Sequence, residues 1–171
     1  MSGTVIFLNG PIGVGKTALG RRAALELGAS FIDSDDLGDS SKQWFEQVLS
    51  GAKALVGAVM ATLGERPVVL VAKPLRARDW AFFKDCFEAQ SVTVHCITLT
   101  ARLDSILSPG RGRAFDAQEQ ARAAEMIAQG YADRPFSDAI VETDRASLVD
   151  TTETVVAACR RLVGLATAQG S

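Results

Sequence analysis

The sequence predicts an α/β fold, a three-layer α/β/α sandwich with a five-stranded parallel sheet covered by helices on both faces. Two observations carry that expectation. Apolar runs of strand length alternate with segments of helical periodicity along the chain. The first run passes directly into a glycine-rich turn and then a helix, the order that a strand–loop–helix unit requires. With 171 residues, 47% of them hydrophobic, the chain can bury a core of ordinary domain size. No linker, internal repeat or low-complexity stretch divides it, so residues 1–171 are expected to form a single domain.

The elements follow in order. Thr4-Val-Ile-Phe-Leu8 is uninterruptedly apolar, as a strand covered on both faces must be. Residues 18–27 have helical character, and Ser30-Phe-Ile32 is a short second strand. A polar stretch follows, and Ser40-x-x-Gln43 has the spacing of a capping box. It predicts a helix over about 42–63 with Phe45, Val48, Leu49, Leu55, Val59 and Leu63 on or near one face, closed by Gly64. The apolar run 67–72 is an interior strand, 78–90 a helix, 92–99 a fourth strand and 101–107 a short helix. Ser108-Pro-Gly-Arg-Gly-Arg113 has the composition of a mobile loop. Asp116-x-x-Glu119 caps a helix ending near Gly130, and Ala139-Ile-Val-Glu142 is the fifth strand. Asp150-x-x-Glu153 is read as the cap of a final helix to about Ala166, after which the chain frays.

Composition narrows the partners. A net charge of −2 and a pI near 5.4 provide no basic field for nucleic acid, so small-molecule chemistry is favoured. The three cysteines are far apart and form no C-x-x-C pair, which suits buried thiols in a reducing cytoplasm. No apolar stretch is long enough to span a bilayer, and no charged leader precedes the first strand, so neither a membrane anchor nor a signal peptide is expected. Oligomeric state is not legible.

The chemistry concentrates at Gly10, Pro11, Ile12, Gly13, Val14, Gly15, Lys16 and Thr17, a G-x-x-x-x-G-K-T phosphate loop set between strand and helix. Glycines let backbone N–H groups point at a polyphosphate, and the helix beginning near Ala18 adds its positive end. Lys16 can reach the β- and γ-phosphates, and the Thr17 hydroxyl can ligate Mg²⁺. In open parallel sheets, ligands bind beyond the carboxyl ends of the strands. That rule selects Asp33 to Asp36, Lys73 to Arg78, the Arg111/Arg113 loop and the stretch after Glu142.

Asp33, Asp35 and Asp36 follow the second strand. One carboxylate can hold Mg²⁺ through its waters, and another can orient or deprotonate an attacking hydroxyl. On extended chain Asp33 and Asp35 share a side, while Asp36 points elsewhere. A solvated acidic turn is the alternative.

The phosphate loop followed after about 16 residues by Phe31-Ile32-Asp33-Ser34-Asp35 resembles shikimate kinase, and more broadly the P-loop small-metabolite kinases that include nucleoside monophosphate, gluconate and chloramphenicol kinases. The resemblance implies a sheet of order 2-3-1-4-5, ATP and Mg²⁺ as cofactors, and transfer of the γ-phosphate to a hydroxyl of a small metabolite. It implies a metal role for Asp33 with Thr17, and acceptor binding by Asp35. The acceptor half departs from that family. The stretch where shikimate kinases carry a substrate-gripping arginine reads Trp44-Phe45-Glu46-Gln47, and their triple-glycine turn is replaced by Ala72-Lys73-Pro74-Leu75-Arg76. Shikimate itself is therefore disfavoured.

Lys73 replaces the aspartate that ends the third strand in many phosphate-loop enzymes, and it is a candidate grip on an anionic acceptor; a basic surface loop is the alternative. Arg111 and Arg113, in a lid loop over about 108–116, are candidates to close on the transferring phosphate. By resemblance Arg134 contacts acceptor carboxylate. Arg145 is a candidate for the adenine face, on which a guanidinium stacks. His95 is read as a core histidine, and Trp80, Phe82 and Phe83 as core or cleft wall. A nucleotide-binding module without kinase activity remains a second reading. A polynucleotide 5′-hydroxyl kinase is a third, which the acidic pI opposes.

Overall fold

The computed structural model describes residues 2–37, 44–109 and 114–169, with only the backbone described at 44–49 and 165–169. Five strands, β1 (Thr4–Asn9), β2 (Ser30–Asp33), β3 (Val68–Ala72), β4 (Thr93–Thr100) and β5 (Ala139–Glu142), form one all-parallel sheet of order β2-β3-β1-β4-β5. The helices are α1 (Lys16–Leu27), α2 (Trp44–Leu63), α3 (Ala77–Glu88), α4 (Leu103–Ile106), α5 (Ala117–Ala128) and α6 (Leu148–Gln169).

Strand alternation divides the core into two layers. Ile6 and Leu8 of β1 pack with Leu19 and Ala23 of α1 and Val155 and Cys159 of α6. Val5 and Phe7, pointing the other way, pack with Leu55 and Val59 of α2 and Phe83 and Phe87 of α3. All four β1 side chains are fully buried, which explains why the central strand is apolar without alternation. Among the described residues no helix is long and apolar enough to cross a membrane.

Several boundaries differ from the sequence reading. The helix after the phosphate loop starts at Lys16 rather than Ala18, so the lysine and threonine of the motif lie in its first turn. The final helix starts at Leu148, and its cap is Ser147, whose Oγ accepts the Asp150 N–H at 3.1 Å. Asp150 thus lies inside the helix, and a serine three residues earlier does the capping. The Asp116/Glu119 box does form: Asp116 Oδ1 accepts the Glu119 N–H at 2.8 Å, and Glu119 Oε2 accepts the Asp116 N–H at 3.3 Å. The expected Ser40/Gln43 cap lies outside the described residues, as do Arg111 and Arg113 of the lid loop.

Candidate phosphate-loop site

The loop between β1 and α1 is shaped by glycines that no other residue replaces. Gly13 sits at φ 80°, and a Cβ there would meet Phe115 Cζ at 2.5 Å and Ile106 Cγ2 at 2.8 Å. A Cβ on Gly10 would lie 2.5 Å from the carbonyl oxygen of Leu99 on β4. The loop is wedged between β4 and the Phe115 ring. It delivers the chain to the head of α1, whose first turn carries no acidic residue, so the helix's positive end is left for an anion.

Lys16 Nζ donates to the carbonyls of Gly10 and Pro11, each at 2.8 Å. Burial lowers the Lys16 pKa from 10.5 to about 8, against the opposing charges of Asp35 and Asp33. Thr17, one residue on, donates its hydroxyl to Asp33 Oδ2 at 2.6 Å. The other Asp33 oxygen accepts the Asp35 backbone N–H at 3.0 Å. β2 ends at Asp33, and residues Ser34–Leu37 form a 3-10 turn. Asp35 is therefore not on extended chain, and the expected shared side of an i, i+2 pair does not arise. The turn instead brings the Asp35 backbone N–H onto the Asp33 carboxylate. Asp35 stays exposed, with its charge acting on both Lys16 and Lys73.

Lys73 leaves β3 with its N–H on the Leu8 carbonyl at 3.1 Å and its ammonium 6.0 Å from the Phe83 ring centroid. Burial lowers its pKa, opposed by Asp79 and Asp35. Arg76 is held by Asp79 through Nε at 2.8 Å and Nη2 at 3.0 Å. The structure thus brings Lys16, Thr17, Asp33, Asp35 and Lys73 to one end of the sheet, across β1, β2 and β3.

Two further arginines have partners within the protein. Arg134 donates from Nε to the Leu75 carbonyl at 2.9 Å and from Nη1 to the Gln129 carbonyl at 3.0 Å, with its guanidinium 4.3 Å from the Tyr131 centroid. It is committed to the protein's own backbone. Arg145 is 68% exposed and pairs with Glu142 at 3.4 Å. Its neighbours Asp144 and Ala146, not Arg145, line the cleft of about 660 Å³ beside the loop. Gly13, Val14, Gly15, Ala18, Ser105, Thr143, Leu148 and Thr151 complete most of that wall. Asp144, only 5% exposed, accepts the Arg102 N–H at 3.1 Å and so ties the two loops framing the cleft. The segment after Glu142 that sequence reasoning selected does border this cleft, through Thr143, Asp144 and Ala146. Asn9, a fully buried amide at the end of β1, was missed; its one visible sign is an amide closing an apolar run.

His95 is half satisfied. Its Nδ1 lies 3.4 Å from Asp138 Oδ2, while Nε2 is buried with no hydrogen-bond partner among the described residues. It sits well before the carboxyl end of β4, away from the loop.

Among the described residues no three His, Cys, Asp or Glu side chains cluster as a protein-only metal site. The donors that do meet, one hydroxyl and one carboxylate, are hard oxygens. They fit Mg²⁺, which keeps several waters and takes few protein ligands.

No family model matches the chain, and no curated protein matches it. Solved structures do. A gluconokinase from Sinorhizobium meliloti superposes with a TM-score of 0.74 at 15% identity, covering 99% of this chain and 98% of that one. The Mycobacterium tuberculosis APS kinase, in complex with AMPPNP and APS, gives 0.65 at 18% identity over 93% and 98% of the two chains. A shikimate kinase from Acinetobacter baumannii in complex with shikimate gives 0.55 at 18% identity over 91% and 92%. At these identities the likeness is one of fold, the α/β fold of P-loop kinases.

Proposed function

We propose that the chain is an ATP-dependent phosphotransferase that moves the γ-phosphate to a hydroxyl of a small metabolite. The observation that carries this reading is the meeting of three groups at the head of α1: Lys16 on the loop carbonyls, the Thr17 hydroxyl on Asp33, and Asp35, whose N–H holds Asp33 and whose charge acts on Lys16. A phosphate loop alone speaks for nucleotide binding. A second carboxylate beside the metal-suited pair is what a transfer reaction adds.

In this reading the loop from Gly10 to Thr17 and the start of α1 hold the β- and γ-phosphates. Lys16 leaves its two carbonyls to neutralise charge on the transferring group. Thr17 and Asp33 are the groups that would hold Mg²⁺, which would neutralise charge on the phosphates. Asp35 orients the acceptor hydroxyl and takes its proton. Lys73, where an aspartate ends the corresponding strand in many phosphate-loop enzymes, supplies a positive charge beside Asp35 on the acceptor side. The cleft walled by Thr143, Asp144 and Leu148 receives the nucleobase. Arg111 and Arg113 remain the candidates to close over the phosphate. Transfer of this kind needs positioning and electrostatics more than covalent chemistry, and this set of groups supplies both. We further place the activity in one domain spanning the chain and in the cytoplasm.

The neighbours named above make gluconate, APS and shikimate the first acceptors to screen. The test is ADP release from ATP and Mg²⁺, alone and with each acceptor. The expected result is stimulation by one class, with Lys16→Ala losing both nucleotide binding and turnover. Asp35→Ala should keep nucleotide affinity while turnover falls about a hundredfold or more. ATP·Mg²⁺ binding with no stimulation by any acceptor, and no effect of Asp35→Ala, would favour the nucleotide-binding module, a reading that the exposure of Asp35 keeps in play.

A further inference from the structure

Asn9 is fully buried, and its amide is saturated. Nδ2 donates to Thr98 Oγ1 and to the Tyr131 carbonyl, each at 3.1 Å, and Oδ1 accepts the Leu75 N–H at 2.7 Å. One side chain therefore joins the end of β4, the turn after α5 and the loop between β3 and α3, and it is bonded covalently to Gly10. On the far side of the same residue, the Leu75 carbonyl accepts from Arg134, whose fork also takes the Gln129 carbonyl. Leu75 lies outside any helix or strand, yet its side chain is fully buried and both its backbone polar groups are held by side chains. Its flanking residues include Lys73 and Arg76.

We propose that Asn9 and Arg134 are positioning residues that couple the phosphate loop to the loop carrying Lys73. The proposal rests on the phosphotransfer reading and extends it, and it assigns Arg134 to the backbone of this loop rather than to the acceptor. The coupling follows from the contacts. Lys16 donates to the carbonyls of Gly10 and Pro11, and a polyphosphate competes for that ammonium. Withdrawing it removes a charged donor from the Gly10–Pro11 peptide, the next but one to the Asn9 side chain along the backbone. Because both polar atoms of the buried Asn9 amide are engaged, Asn9 cannot shift without taking Leu75 and Tyr131 with it or leaving buried groups unpaired. A contiguous hydrogen-bonded network of this kind is one physical carrier of coupling between sites.

Hydrogen exchange read by mass spectrometry tests this with ADP·Mg²⁺ as the probe. In the wild type, saturating ADP·Mg²⁺ should slow exchange over residues 73–76 by about fivefold or more. Asn9→Ala should bind ADP·Mg²⁺ with little loss of affinity and show no such slowing. Should Asn9→Ala not fold, Arg134→Lys serves at the part-exposed end of the path; it keeps the charge, loses the two-pronged grip on the carbonyls, and should lose the same response. A variant that binds ADP·Mg²⁺ and responds like the wild type overturns the proposal. So does a wild type that binds the probe with residues 73–76 unchanged. A wild type that binds no ADP·Mg²⁺ removes the phosphotransfer reading itself, a result distinct from either.

Discussion

The Thr17 hydroxyl stands 2.6 Å from Asp33 Oδ2, joining the first turn of α1 to the end of an edge strand two positions away in the sheet. The two are the oxygen donors suited to Mg²⁺, and Asp33 is further fixed by the Asp35 N–H. Asp33→Asn keeps the shape and removes the charge. It should weaken ADP binding in the presence of Mg²⁺ by roughly tenfold to a hundredfold while leaving metal-free ADP binding nearly unchanged. Calorimetric titration with and without Mg²⁺ measures the difference; equal losses in both would remove the metal role.

Lys16, with a pKa near 8, is mostly charged at pH 7 and mostly neutral at pH 9. Phosphate oxygens favour the ammonium, so nucleotide binding should take up a sizeable fraction of a proton at pH 8.5 to 9 and almost none at pH 7. Calorimetry in buffers of different ionisation enthalpy reads that proton count, and Lys16→Met should abolish it. Folding carries the matching signature. The lowered pKa means that burying the ammonium costs stability below about pH 8, and the cost is relieved as pH rises from there toward 10.5. Wild-type stability relative to Lys16→Met should therefore climb across that window.

Gly13→Ala should destabilise the fold by about 1–3 kcal/mol, through left-handed backbone strain and through collision with Phe115 and Ile106. Adding Phe115→Ala removes one collision and leaves the backbone strain. The double variant should then recover part of the loss expected from adding the two single changes, as thermal or urea unfolding would show.

Cys96 and Cys159 are buried, and burial pushes each thiol up to about 12, whereas Cys86 is only half-buried. Native protein treated with iodoacetamide near pH 8 should be alkylated at Cys86 alone, with the other two reacting on denaturation. Peptide mass spectrometry identifies the site, and rapid native labelling of Cys159 would contradict the packing of α6 against the sheet.

Much of this was legible in the chain. The apolar run before Gly10 marks a strand buried on both faces, and the spacing of Lys16 and Thr17 places them at a helix head. Asp116 and Glu119 satisfy each other across three residues. Such features depend on neighbours in sequence. Ser147 was passed over as a cap because Asp150 offered an equally good pattern one turn later; local spacing does not choose between two overlapping boxes.

The carboxylates and arginines show where local reading stops. Residue types and spacing specify a phosphate loop, an acidic turn and a parallel sheet, because glycine geometry, charge and hydrophobic period act over a few residues. Whether Asp35 shares a side with Asp33 depends on whether the extended chain continues past Asp33 or turns at Ser34. Whether Arg134 meets a ligand or a carbonyl depends on Leu75, 59 positions away along the chain. Arg145 lies exposed beside Glu142, and its neighbours Asp144 and Ala146 line the cleft. A long charged side chain takes whichever partner packing brings within about 3 Å, and that choice is made in three dimensions.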